Sequence, residues 1–206
     1  MTQRDVVREG YDEIAETYDE ERTAEGPERD IAEQFAADVT ERIGGSGRLF
    51  DAGCGAGRPV LETLDESHDV VGLDISTRQL DNARQRVPDA GLTQGDLANL
   101  PFRSDTFDGL ASYHAIIHVP KDEHAAVLDE FHRVLRPDGD LLIVMGDSAW
   151  EGENDDWLDA DTRMAWSFFG KEKNRELVTD AGFGILDEWV LEDELGGTFA
   201  IFRATA

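Results

Sequence analysis

Apolar residues return at two different spacings along this chain, and the alternation between them predicts a layered α/β fold. Residues 3–22 and 28–43 read as two helices. In the second, Ile31, Phe35, Val39 and Ile43 recur every four residues and make one apolar face. Gly44, Gly45 and Gly47 end it. From there short apolar runs alternate with amphipathic segments. Arg48–Asp51 reads as a strand, Pro59–Leu64 falls in a helix, Asp69–Leu73 is a strand, and Thr77–Val87 is a helix with Ser76 as its N-cap. Leu92–Gln94 is a weak strand and Phe107–Ser112 a stronger one. Lys121–Leu135 is a helix with Val127, Leu128, Phe131, Val134 and Leu135 on its inner face. Asp140–Met145 is a strand and Lys171–Ala181 a helix. Gly184–Leu191 and Thr198–Arg203 close the chain as two strands around a Gly196–Gly197 turn. Strands alternating with helices predict a mainly parallel, doubly wound sheet. The last two strands are joined by a short connection and must therefore pair antiparallel.

The 206 residues suffice for one domain with a substantial core, and no repeat or linker divides them. The longest apolar runs, such as Leu141–Met145, are far too short to span a bilayer. The polar, acidic N-terminal stretch has no signal-peptide character, so a cytoplasmic protein is expected. The single cysteine, Cys54, excludes an internal disulfide and a thiolate zinc site. Charge changes the picture more. Forty-six acidic residues face nineteen basic ones, for a net charge of −27, and the acids are spread along the whole chain. Such a chain repels itself at low salt. At molar salt a Debye length of about 3 Å screens that repulsion. The composition resembles that of cytosolic proteins of extreme halophiles. It also argues against nucleic acid as a partner, because no basic stripe is available to neutralise phosphates.

The densest chemical signal is Leu49-Phe50-Asp51-Ala52-Gly53-Cys54-Gly55-Ala56-Gly57-Arg58, a strand running into three glycines spaced two apart, with a helix following. Glycine lets a ligand approach the backbone closely. A helix N-terminus offers unpaired N–H groups. By itself such a loop is common to many nucleotide-binding folds. Asp51 narrows the choice: a carboxylate beside a pyrophosphate is repelled, whereas one beside an ammonium is attracted. Asp74 ends the next strand, where an acid can accept from ribose hydroxyls. Asp96 follows the third strand, where a carboxylate can accept from an adenine amino group. The three acids suit an adenosine that carries no phosphate. A nicotinamide-dependent oxidoreductase needs Gly-x-Gly-x-x-Gly, and here the third glycine comes one residue early with Arg58 in its place.

These residues resemble the motifs of class I S-adenosylmethionine (SAM)-dependent methyltransferases, and the resemblance covers nearly the full chain. Asp51-Ala52-Gly53-Cys54-Gly55-Ala56-Gly57 is similar to the family's first motif. Asp74 matches its ribose-binding acid, and Gly95-Asp96-Leu97-Ala98-Asn99-Leu100-Pro101-Phe102 the motif whose acid reads adenine. Phe107-Asp108-Gly109-Leu110 with Ile117-His118-Val119-Pro120 resembles the fourth motif, and Arg133-Val134-Leu135-Arg136-Pro137-Asp138-Gly139-Asp140 the segment entering strand five. Tyr11-Asp12 and Tyr18-Asp19 resemble the N-terminal helix that closes over the cofactor, giving residues 1–43 that role. The match is weakest at Arg58, where the family varies. The resemblance implies a Rossmann-like seven-stranded sheet of order 3-2-1-4-5-7-6, with strand seven antiparallel. It implies SAM as cofactor, S-adenosylhomocysteine as product, and a cofactor set of Tyr18, Asp51, Gly53, Cys54, Gly55, Gly57, Asp74, Ile75, Asp96, Leu97 and Tyr113.

The expected activity is methyl transfer to a small-molecule acceptor. The rival reading is a SAM-binding partner or regulatory subunit without catalysis of its own. An acceptor that must lose a proton needs a base; His118 is the first candidate, with His114 and Tyr113 behind it. His114 and His118 are four residues apart but follow a strand, and the sequence suggests no third metal ligand. No metal is therefore expected. His68, His124 and His132 read as surface or helix-face residues. Trp150–Gly170 is rich in aromatics, Trp166 and Phe168 among them. It is expected either to lid an acceptor pocket or to form a helix packing its aromatic face on the sheet edge. The acidic run Glu151–Asp161 lacks the spacing of a calcium loop and reads as a solvated face.

Overall fold

A computed structural model describes residues 1–22, 25–193 and 195–206. Three N-terminal helices, α1 (Gln3–Glu13), α2 (Ala15–Glu21) and α3 (Pro27–Ile43), precede β1 (Arg48–Ala52), α4 (Val60–Asp65), β2 (Asp69–Asp74), α5 (Thr77–Arg86) and β3 (Gly91–Gln94). Then come β4 (Phe107–Ser112), α6 (His124–Val134), β5 (Leu135–Gly146), β6 (Trp150–Asn154), β7 (Met164–Phe168), α7 (Lys171–Asp180), β8 (Gly184–Glu192) and β9 (Thr198–Thr205). The main sheet has seven strands in the order β3-β2-β1-β4-β5-β9-β8. β1 to β5 run parallel within it, and β9 pairs antiparallel with both β5 and β8. This is the Rossmann-like order expected; β6 and β7 form a separate two-stranded hairpin inserted before the last helix.

Successive strand residues face opposite sides of the sheet, and two cores result. On one side Leu49, Val70, Ala111, Leu142 and Ile201 pack with Phe35 and Val39 of α3, Leu61 and Leu64 of α4, and Leu80 and Ala83 of α5. On the other, Phe50, Val71, Leu110, Ile143 and Phe202 pack with Val127, Leu128, Phe131 and Val134 of α6 and Val178 of α7. α5 begins where Ser76 accepts a hydrogen bond from the Gln79 backbone N–H at 3.1 Å, as the N-cap pattern predicts.

Five local expectations need correction. Residues 3–22 are not one helix: Ile14 leaves helical geometry at φ −100°, ψ 13° and buries its side chain, which separates α1 from α2. Lys121–Glu123 is a 3₁₀ turn, with α6 starting at His124. β5 starts at Leu135 rather than Asp140. Leu135 pairs with Phe107 and Asp140 with Gly109, so the intervening residues bulge out of register, which the charged run disguised as a loop. The aromatic stretch is a hairpin, not a helix, because Trp166 and Phe168 lie two apart on one strand. His68 and His124 are buried rather than on the surface. His68 Nδ1 accepts from Gly47 N–H at 3.0 Å while its Nε2 donates to the Ala36 carbonyl at 3.0 Å. His124 Nε2 donates to the Val119 carbonyl at 3.0 Å. Buried polar groups that find partners in this way need no solvent.

Charge ties the N-terminal helices down. Asp12 accepts from the Ser76 hydroxyl at 2.6 Å, and Asp19 from Arg86 at 2.8 Å. Arg4 pairs with Asp96 and Glu123. No helix among the described residues is long and apolar enough to cross a membrane. Phe50 is fully buried and stacks on Phe107 with ring centroids 5.0 Å apart. Phe50→Ala is expected to destabilise the fold by about 3–5 kcal/mol, read from the urea midpoint at constant salt.

Candidate active site

The parallel strands end together on one side of the sheet, and the loops there enclose three adjoining cavities. β1 lies between β2 and β4, with Asp51 paired to Gly72 and Ala111. The glycine loop that follows depends on what its glycines lack. Gly53 has φ +87°, and a Cβ on it would stand 2.2 Å from the Ala115 Cβ. Gly57 has φ +89° and packs against Ala83 and Leu61; it helps shape the loop and lines none of the three cavities. Cys54 lines the loop-side cavity, but its sulfur packs toward Gly72, and burial pushes its thiol well above the ordinary range. A buried, protonated thiol is chemically quiet.

The first cavity brings together Tyr18, Gly53, Gly55, Asp74, Ile75, Asp96, Leu97 and Tyr113, all singled out in the sequence. Asp74 Oδ2 accepts from the Gly55 backbone N–H at 2.9 Å and Oδ1 from Ser76 N–H at 2.8 Å. Burial pushes its carboxyl up, the two N–H groups pull it back, and the outcome is about 6. The second cavity joins Asp51 to Tyr18, Gly53, Cys54, Gly55 and Tyr113, and adds Arg22, Glu28 and Arg58. Asp51 is 2% exposed; burial and then the charge of Asp74 push it up to about 8. A carboxyl held neutral by burial becomes ionised when a cation arrives.

One residue of the first cavity was hidden in the sequence. Gln79 is 1% exposed, and neither polar atom of its side-chain amide has a partner. Ser76 and Gln79 have the spacing of a capping box, in which the glutamine would turn back onto the Ser76 N–H. Asp74 already occupies that N–H, so the Gln79 amide stays at the cavity wall with its hydrogen-bonding capacity unused. Unpaired Gln79 and the open loop at Gly55 fit an adenosine-bearing ligand with hydroxyl and amine groups.

The third cavity, of about 460 Å³, lies between the N-terminal helices, the β6–β7 hairpin and the β8–β9 turn. Trp166 and Phe168 line it, with Trp157, Tyr11 and Phe199. Tyr11 and Trp157 meet edge to face at 5.6 Å, as do Trp157 and Trp166 at 5.3 Å. Tyr18 and His114 line all three cavities.

The two histidines differ sharply. His118 is buried with both nitrogens engaged: Nδ1–H donates to the Ala165 carbonyl at 2.8 Å, leaving Nε2 to accept from the Tyr11 hydroxyl at 2.9 Å. Burial pushes it down to about 4. His114 adopts φ +52°, unusual for a residue with a side chain, and contacts the Glu28 carboxylate at 2.5 Å and Asp193 at 3.3 Å through Nε2. Its Nδ1 is buried without a partner. Burial pushes Glu28 up, but the His114 hydrogen bond, reinforced by charge from His114 and Arg22, holds it below its ordinary value. Glu28, His114 and Asp193 could together face a metal ion, a set that the His114–His118 spacing did not disclose. Here the Arg22 guanidinium meets their charge, 2.6 Å from Asp193 and 3.8 Å from Glu28. Nothing local in the sequence could have linked Glu28, His114 and Asp193.

Residues 50–143 match a methyltransferase domain family. A protein of Encephalitozoon cuniculi named as a methyltransferase is 32% identical over 163 residues, covering 71% of this chain and 75% of that protein. Methyltransferase GfsG of Streptomyces halstedii is 32% identical over 126 residues, and the chain spans 45% of its length. Among solved structures, magnesium protoporphyrin IX methyltransferase of Synechocystis, with S-adenosylhomocysteine bound, shares the fold at a TM-score of 0.73 and 16% identity over 99% of both chains. With its glycine loop, its strand-end acids and this kinship, the chain belongs to the class I SAM-dependent methyltransferases.

Proposed function

We propose that this enzyme methylates a small, largely apolar acceptor seated in the aromatic cavity, with SAM held across the other two. The observation that carries this reading is that Tyr18 and His114 line all three cavities. Adenosine and methionine ends on one side and an acceptor on the other would meet beside these two residues. In this reading Asp74 takes the ribose hydroxyls, with Gln79 beside it. Asp96, Leu97 and Ile75 enclose the adenine end, and Asp51 takes the ammonium.

SAM, when bound, supplies a methyl group on a sulfonium, a strong electrophile that needs alignment more than activation. The chain's part is to hold the acceptor in line and to exclude water. Trp166, Phe168 and Phe199 give a flat apolar acceptor surface to lie against. Chemistry of this kind on small molecules is known for the protoporphyrin methyltransferase named above. A hydroxyl or amine acceptor must also lose a proton. His118 is poorly placed to take it, since both nitrogens are committed and its basicity is low. His114 suits the role better. With Nε2–H donating to Glu28, its Nδ1 lone pair is available. A carboxylate that orients a histidine in this manner fixes the tautomer and stabilises the imidazolium that forms. The alternative, a SAM-binding subunit without catalysis, gains no support from a site that retains its acids and an aromatic acceptor cavity.

Asp74→Ala is expected to weaken SAM binding by about 10- to 100-fold in calorimetry, through loss of hydrogen bonds to a charged group. Unchanged affinity would remove the ribose from Asp74 and undermine the cofactor placement. At pH 7 free Asp51 is mostly protonated, because its folded value of about 8 lies above that pH. An arriving ammonium lowers that value and ionises it. Binding should therefore release a fraction of a proton, growing smaller as pH rises past 8. Calorimetry in buffers of different ionisation enthalpy measures this, and Asp51→Asn should abolish it. In a screen of phenols and amines with methyl-labelled SAM, His114→Gln should lower turnover by about 10²-fold or more, well beyond any loss of SAM affinity measured in parallel by calorimetry.

A further inference from the structure

The aromatic cavity is lined in a way that a neutral acceptor does not require. The chain has four tryptophans, and three of them, Trp150, Trp157 and Trp166, stand on this one wall. Aliphatic cover is confined, among the described residues, to Ile117 and Leu195. Burial of apolar area alone is served as well by leucine or isoleucine. What tryptophan adds is a ring face of negative potential. The rings also stand across one another instead of stacking into a slot. Tyr11 and Trp157 lie at 89°, Trp157 and Trp166 at 90°, and Trp150 and Trp166 at 71°, with centroids 5.3 to 5.8 Å apart. Aromatic rings pack edge to face among themselves as well. Here that packing borders an open space of about 460 Å³ and walls a corner of it.

The charges on the wall point the same way. Arg22 is the one arginine or lysine there among the described residues, and two carboxylates answer it, Asp193 at 2.6 Å and Glu28 at 3.8 Å. Its guanidinium lies over the Tyr18 ring, 5.4 Å from the centroid, so the cavity already sets one cation against an aromatic face. Among the described residues no arginine or lysine stands over Trp150, Trp157 or Trp166. Glu153 adds a further carboxylate, and its partner Arg163 does not reach the wall. An anionic acceptor would meet no cation that lacks its own carboxylates. A cationic one meets ring faces and acid.

We propose that the acceptor is an amine, bound as a cation with its nitrogen in the corner of Tyr11, Trp157 and Trp166. This rests on the reading of the aromatic cavity as the acceptor site. Methyl transfer to nitrogen suits such a corner because of where the charge ends. An amine held as its ammonium first gives a proton to Nδ1 of His114. The lone pair so freed forms the bond to the methyl carbon, the electrons of the carbon–sulfur bond stay on sulfur, and the positive charge passes from sulfonium to nitrogen. Ring faces favour that outcome, whereas a methylated phenol ends neutral and gains nothing from them. Tyr11 lines both the first cavity and the aromatic one, so the ring faces begin where the donor side ends.

The test uses two ligands equal in shape and unequal in charge, choline and its carbon isostere 3,3-dimethylbutan-1-ol. Each is titrated by ligand-observed NMR into the wild-type chain, Trp157→Leu, Trp166→Leu and Trp157→Phe, with S-adenosylhomocysteine present. Molar salt, with a Debye length of about 3 Å, keeps the overall charge of the chain from favouring the cation by itself. Choline is expected to bind the wild type about 10-fold or more tighter than the alcohol. Each leucine variant should cut that preference to less than about threefold, while undiminished S-adenosylhomocysteine binding shows that it is folded. Trp157→Phe, with a weaker ring face, should fall between. Equal affinities in the wild type, or a preference that survives both leucine variants, would overturn the proposal. Should the leucine variants not fold, Trp157→Phe decides: a reduced preference supports the assignment, and an unchanged one refutes it. Failure of the wild type to bind either ligand would sink the acceptor reading and the proposal with it, an outcome distinct from tight binding of the neutral alcohol, which overturns the amine alone.

Discussion

Parallel pairing of β1 with β2 on one side and β4 on the other is the constraint from which the cleft follows. It stops three strands at the same level and leaves Asp51 between Gly72 and Ala111. The pairing tolerates little bulk at its end. A Cβ on Gly72 would stand 2.7 Å from the Cys54 sulfur, and one on Gly53 would collide with Ala115. The glycine loop can fold back over β2 only because those atoms are missing. Its fold-back then brings the Gly55 N–H to Asp74, which fixes the carboxylate at the tip of the second strand. Loop, acid and helix start form one unit held by close backbone approach.

Electrostatics divides the molecule into two regimes. Over much of the surface the acidic groups are solvated, or pair with arginines in exposed bridges that contribute little individually. At the cleft, burial replaces solvent. Burial pushes both Asp51 and Asp74 upward, and the charge of Asp74 adds to the rise at Asp51. Two buried carboxyls without a resident cation favour a ligand that brings one. The N-terminal helices close this region through pairs that cross it, Arg4 to Asp96 and Glu123, Asp19 to Arg86, and Arg22 to Asp193. Those pairs put Tyr11 and Tyr18 at the border between the first cavity and the aromatic cavity.

His114 and His118 show how environment assigns roles to identical side chains. They lie four residues apart beyond the same strand. The second is enclosed by Tyr11, Ala165 and Trp166, and serves as a strut between α1 and the hairpin. The first sits in a left-handed backbone turn against a carboxylate, with one nitrogen unspent. Sequence position ranked them in the opposite order, because proximity to a motif says nothing about which nitrogen is already bonded.

The sequence by itself determined the alternation of strands and helices, the apolar faces and the strand-end acids, while the strand order came from the resemblance of its motifs to a known family. The first three are local patterns: periodicity of two and of 3.6, glycines at fixed offsets, acids at strand ends. It also carried the N-cap at Ser76 and the antiparallel close of the sheet. Only the tertiary structure decided the rest. The break at Ile14, the bulge that lets β5 begin at Leu135, and the hairpin at Trp150–Phe168 depend on what each segment packs against, and propensity is silent there. The grouping of Glu28, His114 and Asp193 joins residues 165 positions apart, and Gln79 is free only because Asp74 has taken the N–H it would otherwise cap. Pairwise contacts across the fold leave no trace in a single chain's pattern. For that reason the strand-end acids and the aromatic stretch were legible in the sequence, and the grouping of Glu28, His114 and Asp193 beside them was not.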